Sequence, residues 1–337
     1  MPQLNLTKGH GCGVDVLVID AAPATVADDA HALELLVRRL CERRGPIGAE
    51  AVYFVDGGPG GGAAGPEVWC FGPHGVAARG CAYGLGVVAR ILLDRHGIDN
   101  VVLRLGDEQF PVNRSDDSPE GAKRVAVQAS AIRGDTSWSY VGEIVPAFHE
   151  RRPVTSVAVP EPQLVSIVGR YDEGELIEAG RRVAAAVVRD DADDEFPGRP
   201  DVTFLMPLDE DGEVFARTYE YGIGVVRSSA AGVAAARAVY SELGVVEPEA
   251  SVLVRTPGGP VRATLRVVGG NGGAWISVLE ANATLMYTAT LDSELLASPD
   301  PIALDLRANV DEVMAYAALR SANARALEAA GVTYSAP

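Results

Sequence analysis

Several features that would point to common functions are scarce in this sequence. Cysteine is one: Cys12, Cys41, Cys70 and Cys81 all lie in the first quarter and form no C-x-x-C pair. Those spacings suggest neither a zinc site nor a disulfide framework. Free thiols in a chain of this size fit a reducing compartment, so a cytoplasmic protein is expected. Basic charge is short as well, with 29 Lys and Arg against 46 Asp and Glu and a net charge of −17. Binding to nucleic acid or to a membrane surface needs a basic face, and both are excluded. No apolar run reaches bilayer-spanning length, and Lys8, His10 and Asp15 interrupt any N-terminal signal segment. The acidic run from Asp190 to Glu195 reads as a solvated loop, with no ordered ligand set beside it. The Gly57–Gly65 loop lacks the Gly-Lys-Ser/Thr ending of a phosphate loop. Gly84-x-Gly86-x-x-Ala89 lacks the preceding strand of a dinucleotide site. No G-x-S-x-G elbow surrounds Ser228 or Ser229.

What is present is a repeat. The 337 residues are 47% hydrophobic and 22% charged, enough for two domains with a core each. Arg79-Gly80-Cys81-Ala82-Tyr83-Gly84-Leu85 opens the apolar segment Val87–Leu93. Arg227-Ser228-Ser229-Ala230-Ala231-Gly232-Val233 opens the similar segment Ala234–Tyr240. Cys81 falls on Ser229, Ala82 on Ala230 and Gly84 on Gly232, which suggests two halves built alike. Each unit places a small nucleophilic side chain where a helix begins. There the backbone N–H groups lack partners and the peptide dipoles favour negative charge. The small residues at 82, 84, 230, 231 and 232 let a carboxylate approach those N–H groups. The same environment favours a thiolate at Cys81. Taken alone, Cys81 would also fit as a small buried apolar residue. If the two starts face each other, one anion-binding cleft has Cys81 and Ser229 on its walls.

The remaining pattern is a series of strands around two apolar helices. Strands are expected at residues 14–20, 51–55, 68–71, 101–105, 125–129 and 138–145. In the second half they are expected at 164–168, 202–207, 214–219, 251–255, 262–268, 274–279 and 284–288. Lys8–Gly13 reads as a glycine-rich loop. Helices are expected over 31–44, over 176–188 and over the Ala-rich stretch 309–330, with Gly97 ending the first central helix. The central helix carries apolar residues on nearly every side and is therefore buried. Pro153, Pro160 and Pro162 mark the crossing between domains. That gives an N-terminal domain of 1–157, completed by a C-terminal helix at 305–332, and a second domain of 158–300. His10 and His74 read either as acid/base groups or as polar loop residues. Glu220, ending a strand just before the second turn, reads as a site acid or a surface charge, and its position favours the site.

Longer segments resemble the diaminopimelate epimerase family of cofactor-independent racemases and isomerases, related to proline racemase and the phenazine-biosynthesis isomerase. Thr7 to Asp15 followed by Val18-Ile19-Asp20 resembles its His-Gly-x-Gly-Asn-Asp opening. Phe71 to Ala89 resembles the segment with the first catalytic cysteine, placing Cys81 on it. Phe196-Pro197 with Asp201-Val202-Thr203-Phe204 resembles a Phe-Pro…Asn-Val-x-Phe segment. Arg217 to Gly224 resembles the Arg-x-Tyr-Glu-Arg-Gly-x-Gly stretch before the second catalytic cysteine. The resemblance implies an α+β fold of two similar domains, each a curved mixed sheet or barrel around a central helix, with the active site in the interdomain cleft. It also implies no cofactor and no metal, and a small amino-acid-like substrate. The chain departs from the pattern at several places. The second cysteine falls on Ser229, the opening Asn on Val14, and the Gly-Asn-Gly after the first cysteine on Ala82-Tyr83-Gly84. Substrate-holding positions become Gly72, Gly169, Asp201 and Tyr221.

The resulting expectation is an isomerase in which Cys81 moves a proton, Glu220 or His10 assists, and Ser229 faces it. His10, Val14, Gly72, Ala82, Tyr83, Gly84, Asp201, Tyr221, Ala230 and Ala231 surround the substrate. Diaminopimelate itself is not the expected substrate. A double-bond isomerase or one-thiol epimerase in a biosynthetic, secondary-metabolite pathway fits the loss of one thiol. An ordinary amino-acid racemase, and a degenerate ligand-binding or partner protein, are the alternatives. A homodimer is compatible with all three.

Overall fold

A computed structural model describes the chain except residues 1–2, 45–46, 59–64, 133–139, 160, 189–195, 197, 209–211, 270–273, 293–304 and 336–337. Those exceptions take in most of the Gly57–Gly65 loop, the 190–195 acidic run, Trp138, Pro160 and Pro197, so these expectations lie outside the described residues. The described elements begin β1 (Gln3–Gly11), β2 (Val14–Ile19), α1 (Pro23–Val26), α2 (Ala30–Cys41), β3 (Ala51–Asp56), β4 (Glu67–Phe71) and β5 (Ala77–Ala78). Then come α3 (Ala82–His96), β6 (Asn100–Leu105), β7 (Glu108–Ser115), β8 (Arg124–Ile132), β9 (Glu143–Ile144), β10 (Pro153–Val159) and β11 (Glu161–Ile167). The order continues with α4 (Glu173–Val188), β12 (Asp201–Pro207), β13 (Val214–Glu220), β14 (Gly224–Val225), α5 (Ala230–Glu242), β15 (Val252–Thr256) and β16 (Gly259–Val268). It closes with β17 (Ala274–Asn282), β18 (Thr284–Asp292), β19 (Asp305–Ala308) and α6 (Val310–Ala329).

Two compact units result: residues 1–127 with 281–319, and residues 128–280 with 320–337. In the first, β1 pairs antiparallel with β2 and with β18. The chain crosses through α2 so that β2 and β3 run parallel, with Val18 opposite Tyr53. β3 and β4 are antiparallel, and Tyr53 stands opposite Cys70. β4 carries the short antiparallel β5 and runs parallel to β6, from which β7 and β8 continue as a meander. α3 packs against β1, β2, β3, β6 and β7. Its Leu85, Val87, Val88, Ala89, Leu92 and Leu93 are all buried, as expected of a helix apolar on nearly every side, and Arg90 is buried with them, paired with Asp94 and Glu312. α2 instead buries one face, Leu36, Val37, Leu40 and Cys41, against Leu17, Ile19, Val52 and Phe54. Asp29 caps it by accepting the Ala32 N–H.

The second unit repeats the plan. β10 and β11 are antiparallel, and α4 leads to β12, which runs parallel to β11 with Val165 opposite Thr203. β12 and β13 are antiparallel, pairing Thr203 with Thr218. β13 carries the two-residue β14 and runs parallel to β15, and β16 and β17 follow as a meander. α5 packs against β10, β11, β12, β13 and β16, buried from Val233 to Tyr240. The expected α+β class with two like halves, each a mixed sheet around a central helix, is what the chain forms.

Several expectations need correction, among them the closing helix expected at 305–332 in the first domain, whose residues from 320 on fall in the second unit. The crossing near residue 157 comes earlier, because β10 pairs with β11 inside the second unit. Residues 281–292 return to the first unit because β18 pairs with β1. Lys8–Gly13 is mostly strand. Its glycines serve close packing: a Cβ on Gly9 would lie 2.7 Å from Val87 Cγ1, and one on Gly11 would lie 2.8 Å from Tyr83 Cβ. Among described residues, the strand expected over 138–145 is limited to β9, and β7, β10 and β19 had not been anticipated.

Each central helix begins against a cross-strand pair. A Cβ on Gly84 would fall 2.3–2.5 Å from the Tyr53 ring and hydroxyl, and one on Gly232 would fall 2.1 Å from Thr218 Oγ1. Gly84→Ala and Gly232→Ala should therefore each lower the unfolding free energy by about 1–3 kcal/mol in urea titrations. Unchanged midpoints would contradict this packing.

Candidate active site

The first helix start is organised by Cys81. Gly80 holds φ at 74°, a left-handed conformation that suits glycine and turns the chain into the helix. Cys81 is the N-cap, and its sulfur accepts the Gly84 N–H at 3.4 Å. Its own N–H donates to the Tyr53 hydroxyl at 3.0 Å, which also lies 4.0 Å from the sulfur. Cys81 is partly exposed, whereas Cys12, Cys41 and Cys70 are buried. Burial pushes the Cys12 and Cys70 thiols up to about 12 and that of Cys41 to about 11. Cys81 is thus the accessible thiol of the four, at a point where first-turn N–H groups have no helical partners.

Its neighbours play different parts. Ala82 and Gly84 are buried and small, leaving the backbone as the polar surface of the turn. Tyr83 is 3% exposed, so its side chain points into the unit. It can offer a ligand its backbone only. His10 is also buried, with its ring edge-on to Tyr316 at 4.1 Å and its Nδ1 3.5 Å from Asn282 Nδ2. Asn282 Oδ1 accepts the N–H of Cys12, whose φ is +48°, and Asn282 Nδ2 reaches Thr284 Oγ1 at 2.9 Å. This network fastens the β1–β2 hairpin. Asn282 was not foreseen, because 270 positions separate it from Cys12 and no local pattern marks it. Val14 is half-buried opposite Gly11. Gly72 lies in the turn after β4, donating its N–H to Val76 O at 2.9 Å. His74 is exposed, and its carbonyl accepts from Arg38 Nε.

The second start mirrors the first. Ser229 is the N-cap of α5, and its Oγ accepts the Gly232 N–H at 3.2 Å. Ser229 and Ala230 are buried, and Ala231 is half-buried. Beneath Gly232 the Thr203 and Thr218 hydroxyls lie 2.8 Å apart. Within the same unit, Asp201 Oδ1 accepts the Tyr221 N–H at 2.8 Å, and Oδ2 accepts from Gln163 Nε2 at 2.9 Å. Burial pushes the Asp201 carboxyl up, against the two hydrogen bonds. Arg199 lies over the Tyr221 ring at 5.7 Å. Glu220 ends β13 half-buried, and its carbonyl accepts the Ile223 N–H at 3.1 Å in the hairpin to β14. Gly169 is exposed in the turn after β11. Ala82, Tyr83 and Gly84 thus gather around Cys81 in one unit, and Ala230 and Ala231 around Ser229 in the other. Asp201 joins Tyr221, and His10 belongs to the Asn282 network. No group of three His, Cys, Asp or Glu among the described residues could hold a metal ion, and no helix there is long and apolar enough to cross a membrane.

No family model matches the chain. A diaminopimelate epimerase of Clostridium acetobutylicum is 22% identical over 298 residues, covering 86% of each chain. Among solved structures, a phenazine biosynthesis protein of the PhzF family from Bacillus anthracis superposes with a TM-score of 0.59 at 12% identity. It covers 87% of this chain and all of that one. A methylitaconate Δ-isomerase reaches 0.58 at 10% identity, over 89% of this chain and 98% of that one.

The differences in thiol burial are directly testable. Iodoacetamide at pH 8 should modify Cys81 in the native protein and leave Cys12, Cys41 and Cys70 intact until denaturant is added. Peptide mass spectrometry showing equal native labelling at all four would contradict this assignment.

Proposed function

We propose that this chain, a homologue of the diaminopimelate epimerases, moves a carbon-bound proton of a small amino-acid-like carboxylate with the Cys81 thiol. Its relatives and fold neighbours include epimerases and isomerases, and the chain is an isomerase of that kind. The observation that carries the residue assignment is the accessible thiol capping a buried helix. A carboxylate held at such a start receives hydrogen bonds from backbone N–H groups, which gain strength as charge develops on it. The thiolate removes a proton from the adjacent carbon, and the resulting enolate-like anion is reprotonated.

Ser229 supports a one-thiol scheme. An alcohol is too weak an acid and base to take the role of a second thiol, and its Oγ already accepts the Gly232 N–H. In an unsaturated substrate one group suffices. Cys81 takes the proton from one carbon, the double bond shifts, and the same sulfur returns a proton to the far end of the allylic system. Atoms and electrons balance without a second reactant. Glu220 is the candidate assisting acid. Recognition differs from that of diaminopimelate, since Gly72 and Gly169 carry no side chains and Asp201 is bonded to Tyr221 and Gln163. The second reading, epimerisation at one carbon, is favoured by the names of the curated relatives.

The test is solvent-deuterium incorporation into a panel of amino acids and unsaturated cyclic amino acids, read by NMR. Wild type should label a substrate, and Cys81→Ala should lower the rate by about 10²–10⁴-fold. Ser229→Ala should lower it by less than about tenfold, as expected for a lost helix cap costing ~1 kcal/mol. The labelled carbon separates double-bond migration from epimerisation. Equal loss in both variants would refute the one-thiol scheme.

A further inference from the structure

We propose that Tyr53 is a positioning residue for the Cys81 thiol, fixing its backbone and supplying a hydrogen bond to the sulfur when it becomes a thiolate. The inference rests on the reading of Cys81 as the proton-transfer group. Tyr53 is fully buried on β3, and its ring lies so close to the helix start that only glycine fits at position 84. The phenol therefore has no freedom to leave.

Its hydroxyl has one proton to donate and lone pairs to accept with. A lone pair takes the Cys81 N–H at 3.0 Å. Two sulfurs compete for the proton: Cys70, opposite Tyr53 on the neighbouring strand, and Cys81, 4.0 Å away. These two thiols, one on β4 and one at the start of α3, are the titratable groups that face the phenol. Cys70 stays a neutral thiol, since burial pushes it up to about 12. A thiolate at Cys81 is the stronger acceptor, because charge-assisted hydrogen bonds outweigh neutral ones. The phenol proton then turns from Cys70 to Cys81 by rotation about the C–O bond, with no backbone movement. Burial also holds the Tyr53 phenol well above its ordinary value, so it remains a donor throughout.

The second unit shows what this arrangement adds. The cross-strand pair beneath α5 is Thr203 and Thr218, whose hydroxyls bond each other at 2.8 Å. The corresponding pair beneath α3 is Tyr53 and Cys70. The side with the thiol therefore carries the group suited to stabilise its anion, and the side with Ser229 carries a self-satisfied pair.

The experiment follows carbamidomethylation of Cys81 by peptide mass spectrometry from pH 6 to 9 in wild type, Tyr53→Phe and Cys70→Ala. Loss of the donor disfavours the thiolate, so Tyr53→Phe should react about three- to tenfold more slowly at pH 7. Its midpoint should rise by about half a unit to one unit. Cys70→Ala should lower the midpoint and speed the reaction about two- to threefold, because Cys81 then has the phenol proton to itself. A purely structural role would leave both midpoints in place, and that result overturns the proposal. If Tyr53→Phe does not fold, the Cys70→Ala midpoint decides alone. Solvent-deuterium exchange in the same proteins separates the two claims. Slower alkylation of Tyr53→Phe with no exchange in wild type keeps the positioning role and removes the isomerase reading. Normal exchange with an unmoved midpoint does the reverse.

Discussion

The fit of each central helix start onto its sheet is the constraint from which the rest follows. In both units a glycine lets the first turn lie against a cross-strand pair, Tyr53 with Cys70 or Thr203 with Thr218. Any larger residue would lift the helix off the strands and move its N-cap. The N-cap is the residue to which the proposed chemistry is assigned, so the packing and the proposed function rest on the same contact. A helix buried on all sides cannot shift to accommodate a displaced start, because interiors are close-packed and resist small volume changes.

The two units share a plan and differ in what they place at the shared position. Both run strand, helix, parallel strand, antiparallel strand, short hairpin, central helix and meander. One ends its hairpin at a thiol with a phenol under it. The other ends at an alcohol with two threonines under it. The helix start remains a place where backbone N–H groups favour an anion in both cases. A thiol is a far stronger acid than an alcohol, which is why the proposed proton transfer is assigned to Cys81.

Much of this was legible in the sequence. The duplicated Arg-x-small-small turn located both helix starts, and the apolar pattern of Leu85–Leu93, broken only by Arg90, marked α3 as buried. The glycine that stops α3 and the amphipathic pattern of α2 were equally local, so they could be read directly. What escaped was long-range. Asn282 reaches Cys12 across 270 positions, and β18 returns to β1, neither of which leaves a periodic trace. Lys8–Gly13 looked like a loop because glycine is rare in strands, yet here Gly9 and Gly11 make room for α3. Tyr83 is expected near the substrate, and the burial of its side chain leaves its backbone as the part that faces the turn. Tyr53 sits in the apolar run Ala51–Val55, where nothing distinguishes a core tyrosine from one placed under a thiol.

The central claim is that one thiol, Cys81, is the group that moves the proton. The most direct measurement is to modify the protein progressively with iodoacetamide and follow residual carbon-proton exchange against the fraction of Cys81 labelled. Activity should fall in proportion to Cys81 modification and reach zero at one label per chain. Exchange that persists after Cys81 is fully modified would contradict it.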